Sequence, residues 1–144
     1  MTPEERARRC AEAMWARDHA SRWFDMELVS CGPGTAQMRM TVAQQHCNGH
    51  GICHGGVIFS LADSAFAYAC NSYNRNAVAQ HNSITYISPG RLGAQLTASA
   101  REVSLKGKNG IYDIRVTDET GATIAEFRGC SRVVSGEHFV EGGE

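Results

Sequence analysis

Hydrophobic and polar positions fall into distinct regimes along the chain. Ala7, Cys10, Ala11, Met14 and Trp15 recur at i, i+3, i+4, i+7 and i+8, which predicts a helix over residues 2–18 with one apolar stripe. Thr2 ahead of Pro3, with Glu5 three places on, supplies a capping box and a preset first turn. Arg6, Arg8, Arg9 and Glu12 lie off the stripe, so the N-terminal segment, residues 1–20 in all, reads as a peripheral helix docked on a larger body. From residue 23 the period drops to two. Residues 23–31 and 35–42 read as a hairpin around Gly32-Pro33-Gly34. In its second arm Ala36, Met38, Met40 and Val42 alternate with Gln37, Arg39 and Thr41, the mark of an antiparallel sheet with one wet face. A loop over 43–55 follows. Gly56 to Cys70 is then apolar on nearly every face, without Pro or internal Gly, and reads as a helix buried all round. Strand-like runs cover 77–87, 94–105, 111–117 and 122–134, with turn signals at Ser88-Pro89-Gly90, Asn109-Gly110 and Asp118–Gly121. The Gly- and Glu-rich tail, 135–144, is expected to be flexible and frayed. Together these give an α+β domain of five or six antiparallel strands and one central helix that a curved sheet could bury.

The chain has 144 residues, which suits a single domain over 1–144. A chain of this size buries roughly two-thirds of its unfolded surface, enough to fold without a metal or a disulfide. Fourteen Lys and Arg against fifteen Asp and Glu leave no basic field to attract nucleic acid or an anionic membrane. No run reaches the ~18 apolar residues of a membrane span, and Met1–Arg6 has no signal-peptide core. The expected compartment is the cytoplasm, where the cysteines at 10, 31, 47, 53, 70 and 130 are free thiols.

Two features inside this frame carry chemistry. Asp63 stands in the middle of the apolar helix, where a carboxylate must pair with a neighbour, shift its pKa or line a cavity. Bonding to Ser60, Ser64 or an adjacent strand would explain it structurally; a general base or nucleophile at a pocket would explain it functionally. His54-Gly55-Gly56 opens the same helix. The first N–H groups of a helix lack intrahelical partners and carry the positive end of its dipole, so they can polarise a carbonyl oxygen. Gly55 and Asp63 are separated by about 12 Å of helix, too far for one acyl group to reach both. If both act on one substrate, they come from two chains. Two antiparallel helices related by a two-fold axis place each Asp63 near the other chain's Gly55.

The run from Asn48 to Ser72, with Asn48 and the spacing from His54-Gly55-Gly56 to Asp63, resembles the core of hotdog-fold acyl-CoA thioesterases of the phenylacetate-degradation PaaI type. The similarity extends over 5–134 and takes in Ile84–Gly90 and Gly110–Ile114. The resemblance implies a hotdog fold, an antiparallel sheet wrapped around a long helix, in a dimer and often a dimer of dimers. It implies hydrolysis of acyl-CoA esters, phenylacetyl-CoA or hydroxyphenylacetyl-CoA among them, with no cofactor and no metal. The family's carboxylate falls on Asp63, its carbonyl-binding amide on Gly55, and a polar residue beside the nucleophile or water on Asn48. His54 falls on a loop-orienting position and Ser64 on a small polar residue beside the attacking water.

Such a substrate needs an apolar pocket, for which Trp23, Met26, Phe59, Phe66 and Tyr68 are candidates, and contacts for the CoA moiety, for which Gly56 and, at the nucleotide phosphates, the cations Arg91, Lys106, Lys108 and Arg132 are candidates. A solvated hairpin tip explains the two lysines equally well. Rival readings are weaker. His46, Cys47, His50, Cys53 and His54 invite a zinc site, but their spacing is not a standard one. A Cys53 nucleophile and a hydratase lack supporting motifs. A non-catalytic acyl-CoA binding module on the same fold is the alternative from a different class.

Overall fold

The computed structural model describes residues 1–142. Helix α1 spans Pro3–Trp15 and carries the expected capping box: Glu5 N–H donates to Thr2 Oγ1 at 3.1 Å and Thr2 N–H to Glu5 Oε2 at 2.9 Å. It stops three residues short of the expected end because Asp18 begins a second helix, α2, over His19–Trp23. Asp18 accepts from Ser21 N–H at 3.0 Å and from Tyr68 Oη at 2.9 Å. The strand expected from residue 23 therefore begins only at Glu27. Strands β1 (Glu27–Gly32) and β2 (Thr35–Thr41) form the hairpin, and a 3-10 turn at Gln44–His46 leads into the loop before helix α3, Gly55–Cys70. Strands β3 (Ala77–Tyr86), β4 (Gln95–Lys106), β5 (Asn109–Thr117) and β6 (Thr123–Val133) complete the chain.

The six strands form one antiparallel sheet in the order β1-β2-β4-β5-β6-β3. It wraps α3, which touches every strand; this is the hotdog arrangement. Inward-facing Met38, Met40, Leu96, Ala98, Tyr112, Ile114, Val116 and Phe127 are buried against Ile58, Leu61, Ala65 and Phe66. The aromatic centre is Phe66, 5.7 Å from Tyr112 and 6.1 Å from Phe127 by ring centroids.

Three local expectations are corrected. The β4–β5 turn is Gly107-Lys108, closed by the Lys106–Asn109 pair, and not Asn109-Gly110. Gly107 takes the positive φ that a two-residue hairpin needs at its first position. Gly110 is a strand residue whose missing side chain makes room for Ser131 Oγ and the Tyr112 ring. Second, α3 is not buried all round. Gly56 is exposed and Phe59, Ser60, Asp63, Ser64 and Ala67 are half-buried, leaving an open stripe along one side. Third, residues 135–142 lack regular structure but are seated on the body. Asn74 Oδ1 accepts from His138 and Phe139 N–H at 2.9 and 3.2 Å, Arg9 lies 4.2 Å over the Phe139 ring, and Arg6 pairs with Glu141. Residues 143 and 144 lie outside the described residues.

The packing at Gly129 gives a test of sign. Alanine normally exceeds glycine in a strand interior. Here a Cβ would meet the buried Phe66 ring at 2.7–2.8 Å. Gly129→Ala is expected to lower stability by about 1–3 kcal/mol. Urea unfolding with an unchanged m-value reads this directly.

Candidate active site

The start of α3 is built to leave one amide free. His54 caps the helix, its Nδ1 accepting from Gly56 N–H at 2.9 Å. Val57 and Ile58 N–H both donate to His54 O, at 2.9 and 3.2 Å. Among the described residues Gly55 N–H has no protein acceptor. Gly55 instead lines a cleft of about 470 Å³ with Asn48, Ile58 and Tyr86. Tyr86 Oη donates to Gly55 O at 2.7 Å, and its ring lies where a Cβ on Gly55 would fall, at 3.1 Å. A Cβ at position 55 would crowd the Tyr86 ring, which would have to shift by a few tenths of an ångström, and Tyr86 anchors the carbonyl of the residue that carries the free amide.

Asn48 is fixed by its loop. Its Oδ1 accepts from His50 N–H at 3.0 Å and Ile52 N–H at 3.4 Å, which leaves Nδ2 available to the cleft. His54 and Gly55 thus sit at one end of α3 with Asn48 beside them, although His54 also lines a neighbouring cleft of about 440 Å³ with Trp23, Phe24 and Val57.

Asp63 lies two turns further along, on the open stripe. Asn82 Nδ2 of β3 donates to its Oδ1 at 3.1 Å. Burial holds the Asp63 carboxyl above its ordinary value, and the Asn82 bond pulls partly in the other direction. Ser60 and Ser64 do not pair with it: their hydroxyls donate to Gly56 O at 2.8 Å and Ser60 O at 2.7 Å. The strand partner of Asp63 is thus present, and the carboxylate still opens on the stripe. Within one chain Gly55 and Asp63 remain about 12 Å apart along the helix axis.

The remaining candidates scatter. Gly56 is exposed at the helix start, and Arg91, exposed, bridges Ile52 at the rim of the Gly55 cleft. Lys106, Lys108 and Arg132 cluster at the far end of the sheet, about 36 Å along β4 from its start. Of the apolar candidates Met26, Phe66 and Tyr68 are core, and Phe59 is half-buried against Phe127. Trp23 is 79% exposed, edge-on to Phe24 at 5.0 Å. His46 uses both ring nitrogens structurally, on Ala43 N–H at 2.9 Å and Phe24 O at 3.0 Å. Among the described residues no three His, Cys, Asp or Glu side chains converge as metal ligands, and no helix is long and apolar enough to cross a membrane.

Residues 50–125 match the model of the thioesterase superfamily. The chain belongs to this superfamily. It is 44% identical over 127 residues to the acyl-coenzyme A thioesterase PaaI of Escherichia coli K12, covering 88% of this chain and 90% of that one. The solved structure of the E. coli PaaI protein from the phenylacetic acid degradation operon superposes with a TM-score of 0.93 at 40% identity, over 94% of this chain and 99% of that one. A Streptococcus mutans protein solved with acetyl CoA bound matches with a TM-score of 0.75 at 27% identity, over 78% of this chain and 90% of that one. The chain is accordingly a thioester hydrolase.

Two residues of this thioesterase escaped the sequence reading. Asn82 and Tyr86 lie on a strand-like run with nothing to distinguish them from neighbouring polar positions. Only the packing of β3 beside α3 brings them to Asp63 and Gly55.

The raised Asp63 pKa is also a stability statement. The folded chain holds this proton to higher pH than the unfolded chain, so ionisation costs stability as pH rises through that range. Asp63→Asn is expected to melt above the parent protein at pH 7, and the difference to close as pH falls below about 3.9. Thermal unfolding across pH reads it; a pH-independent difference would rule out the titration as its source.

Proposed function

We propose that this thioesterase hydrolyses acyl-CoA esters, with arylacetyl-CoA such as phenylacetyl-CoA or hydroxyphenylacetyl-CoA as the preferred class, at sites shared across a two-fold homodimer. The observation that carries the reading is the unpartnered Gly55 amide at the start of the helix whose open stripe holds Asp63. Residue 59 lies midway between them, so a two-fold axis past Phe59 sets each Asp63 opposite the other chain's Gly55. The sheet edge supports the same pairing. Strand β3 ends the sheet with ten residues and, among the described residues, no outer neighbour, whereas the other edge, β1, is short and flanked by α1. A long bare edge favours pairing with a second copy. Association of two dimers is proposed on the family resemblance alone.

In this arrangement the thioester carbonyl oxygen accepts from Gly55 N–H, which stabilises the charge that develops as the carbon becomes tetrahedral. The partner subunit's Asp63 either adds to that carbon or takes a proton from a water that adds. The tetrahedral centre then expels CoA thiolate, leaving the free acid where water added, or a mixed anhydride with the partner subunit's Asp63 that a water then cleaves to release the acid and restore the carboxylate. Asn48 Nδ2 is free to hold the carboxylate or the water, Ser64 Oγ stands beside Asp63 on the helix, and His54 fixes the loop. An aryl group fits the cleft of Trp23, Phe24 and Val57, which adjoins His54. Of the cations, Arg91 flanks the Gly55 cleft of its own chain. Antiparallel helices bring the partner subunit's Lys106, Lys108 and Arg132 towards the same end, where they can meet the nucleotide phosphates.

Asp63→Asn is expected to fold and to lose nearly all thiol release from phenylacetyl-CoA. Gly55→Pro removes the amide hydrogen and Gly55→Ala keeps it while placing the same Cβ against Tyr86. The proline variant is expected to fall about 10²–10³-fold below the alanine one. Mixed Asp63→Asn and Gly55→Pro subunits regain partial turnover in heterodimers. Absence of that regain, with subunit exchange demonstrated, overturns the shared site.

A further inference from the structure

The loop that carries Asn48 is closed at its neck by two cysteines. His54 N–H donates to His46 O and Asn48 N–H to Ile52 O, both at 2.8 Å. Between these bonds Cys47 and Cys53 face each other as an isolated antiparallel bridge. Such a non-hydrogen-bonded pair is the close one of an antiparallel ladder, with Cα atoms about 4.5 Å apart and side chains on one face. A disulfide needs Cα atoms about 4.4–6.8 Å apart. No other two cysteines among the described residues are paired in this way: Cys31 faces Ala36, Cys130 faces His81 and Ile111, and Cys10 and Cys70 lie in helices.

The two thiols are free and chemically unequal. Cys47 is only partly buried and lines the Trp23 cleft, with its Sγ 3.5 Å from Ala43 O. Cys53 is buried beside the Gly55 cleft, its Sγ 3.8 Å from His54 O, and burial pushes its thiol up to about 11. An oxidant therefore meets Cys47 first.

We propose that Cys47 and Cys53 form a reversible disulfide across the neck of the active-site loop and that this bond slows turnover. With hydrogen peroxide as oxidant, the Cys47 sulfur attacks one peroxide oxygen. The O–O bond breaks, leaving a sulfenic acid and one water. The Cys53 sulfur, giving up its proton, then displaces hydroxide from the Cys47 sulfur. The S–S bond forms and the hydroxide leaves with that proton as a second water. Two thiols have lost two electrons, and the peroxide has gained them. A dithiol reductant reverses the step by exchange.

The effect on rate follows from position, and this part rests on the reading of Asn48 and Gly55 given above. Asn48 follows Cys47 directly, and His54 and Gly55 follow Cys53. Cross-strand Cβ atoms stand about 4.5–5.5 Å apart, and a disulfide draws them to about 3.8 Å. Displacements near 1 Å at a reacting site can cost about 10²-fold in rate.

The test is peroxide treatment of the whole protein, followed by alkylation without reduction and peptide mass spectrometry. The expected product is a chain that has lost two hydrogens and two alkylation sites, with the bond mapped to residues 47 and 53. Cys47→Ser and Cys53→Ser each prevent it and resist the peroxide-induced loss, each measured against its own untreated turnover; Cys130→Ser still forms the bond and still loses turnover on peroxide treatment. Parent turnover falls at least tenfold and returns with dithiothreitol. Sulfinic acid at Cys47 with Cys53 still open to alkylation, a bond between chains, or a mapped bond with undiminished turnover each overturns the proposal. The mass readout is independent of thioester binding, so its failure is separable from failure of the proposed function.

Discussion

Helix α3 has to be buried, and the chain that contains it cannot bury it completely. Its sixteen residues include no Lys, Arg or Glu, and every strand of the sheet packs on it. The sheet reaches round one side, where Ile58, Leu61, Ala65 and Phe66 vanish into the core. On the other side Gly56, Ser60, Asp63 and Ala67 remain open in a line of mostly small side chains. Small residues here do two things at once. They limit the apolar area left wet, and they allow a second surface to approach the backbone closely. The one carboxylate of the helix lies on that line and nowhere else, which is where burial of a charge is least expensive within a single chain.

The N-terminal end of α3 shows how such a helix presents chemistry. A free amide at a helix start is common; one kept free and aimed is not. Three of the first four N–H groups of α3 are satisfied by His54, which serves as cap through Nδ1 and as acceptor through its carbonyl. The fourth, on Gly55, is held from behind by Tyr86, whose hydroxyl fixes the carbonyl of the same residue. The residue is thus anchored at its carbonyl by Tyr86, the carbonyl of its own amide group, His54 O, is held by Val57 and Ile58 N–H, and the N–H stays open. That is the arrangement electrostatic preorganisation requires: a dipole already oriented before charge appears. A Cβ at 55 would lie 3.1 Å from the Tyr86 ring, which would have to give by a few tenths of an ångström.

What could be read from the residues divides along physical lines. Local signals carried far. The Thr2-Glu5 box, the alternation of Met38 and Met40, the run from Tyr112 to Val116 and the apolar run before Cys70 each depend on short-range sterics or burial, and each formed close to its expected bounds. Competition between local signals did not resolve. Asn109-Gly110 is a strong turn pair, but Gly107 offers the positive φ two residues earlier, and the Tyr112 ring needs the space at Gly110. Asp18 caps a short helix that takes in Trp23, the expected start of the first strand, and its carboxylate also binds Tyr68. Long-range partners were beyond reach. Asn82 and Tyr86 acquire their roles only through the topology that lays β3, the last strand of the sheet order, alongside α3. The cations near in sequence likewise part in space within one chain: Arg91 precedes the start of β4 and Lys106 ends it.

The elevated pKa of Asp63 bears on whether a shared site is electrostatically sound. A base or nucleophile must be ionised, yet burial disfavours the ion, and docking a second chain over the stripe removes more water. In a lone chain the sole side-chain compensation is Asn82. In the antiparallel pairing, the other chain's α3 N-terminus arrives with a partial positive charge of about half a unit and an unpartnered amide. That end favours the ionised carboxylate, so the contact that desolvates Asp63 also supplies the dipole that keeps it charged. The same amide must serve the thioester oxygen once substrate enters, which withdraws part of the support just as the carboxylate is asked to act. A carboxylate less well satisfied at that moment is a stronger base and a better nucleophile. In the proposed pairing, the separation of Gly55 from Asp63 along one helix, too long for one acyl group to span within a single chain, is then what allows each to alter the other's chemistry across the pair.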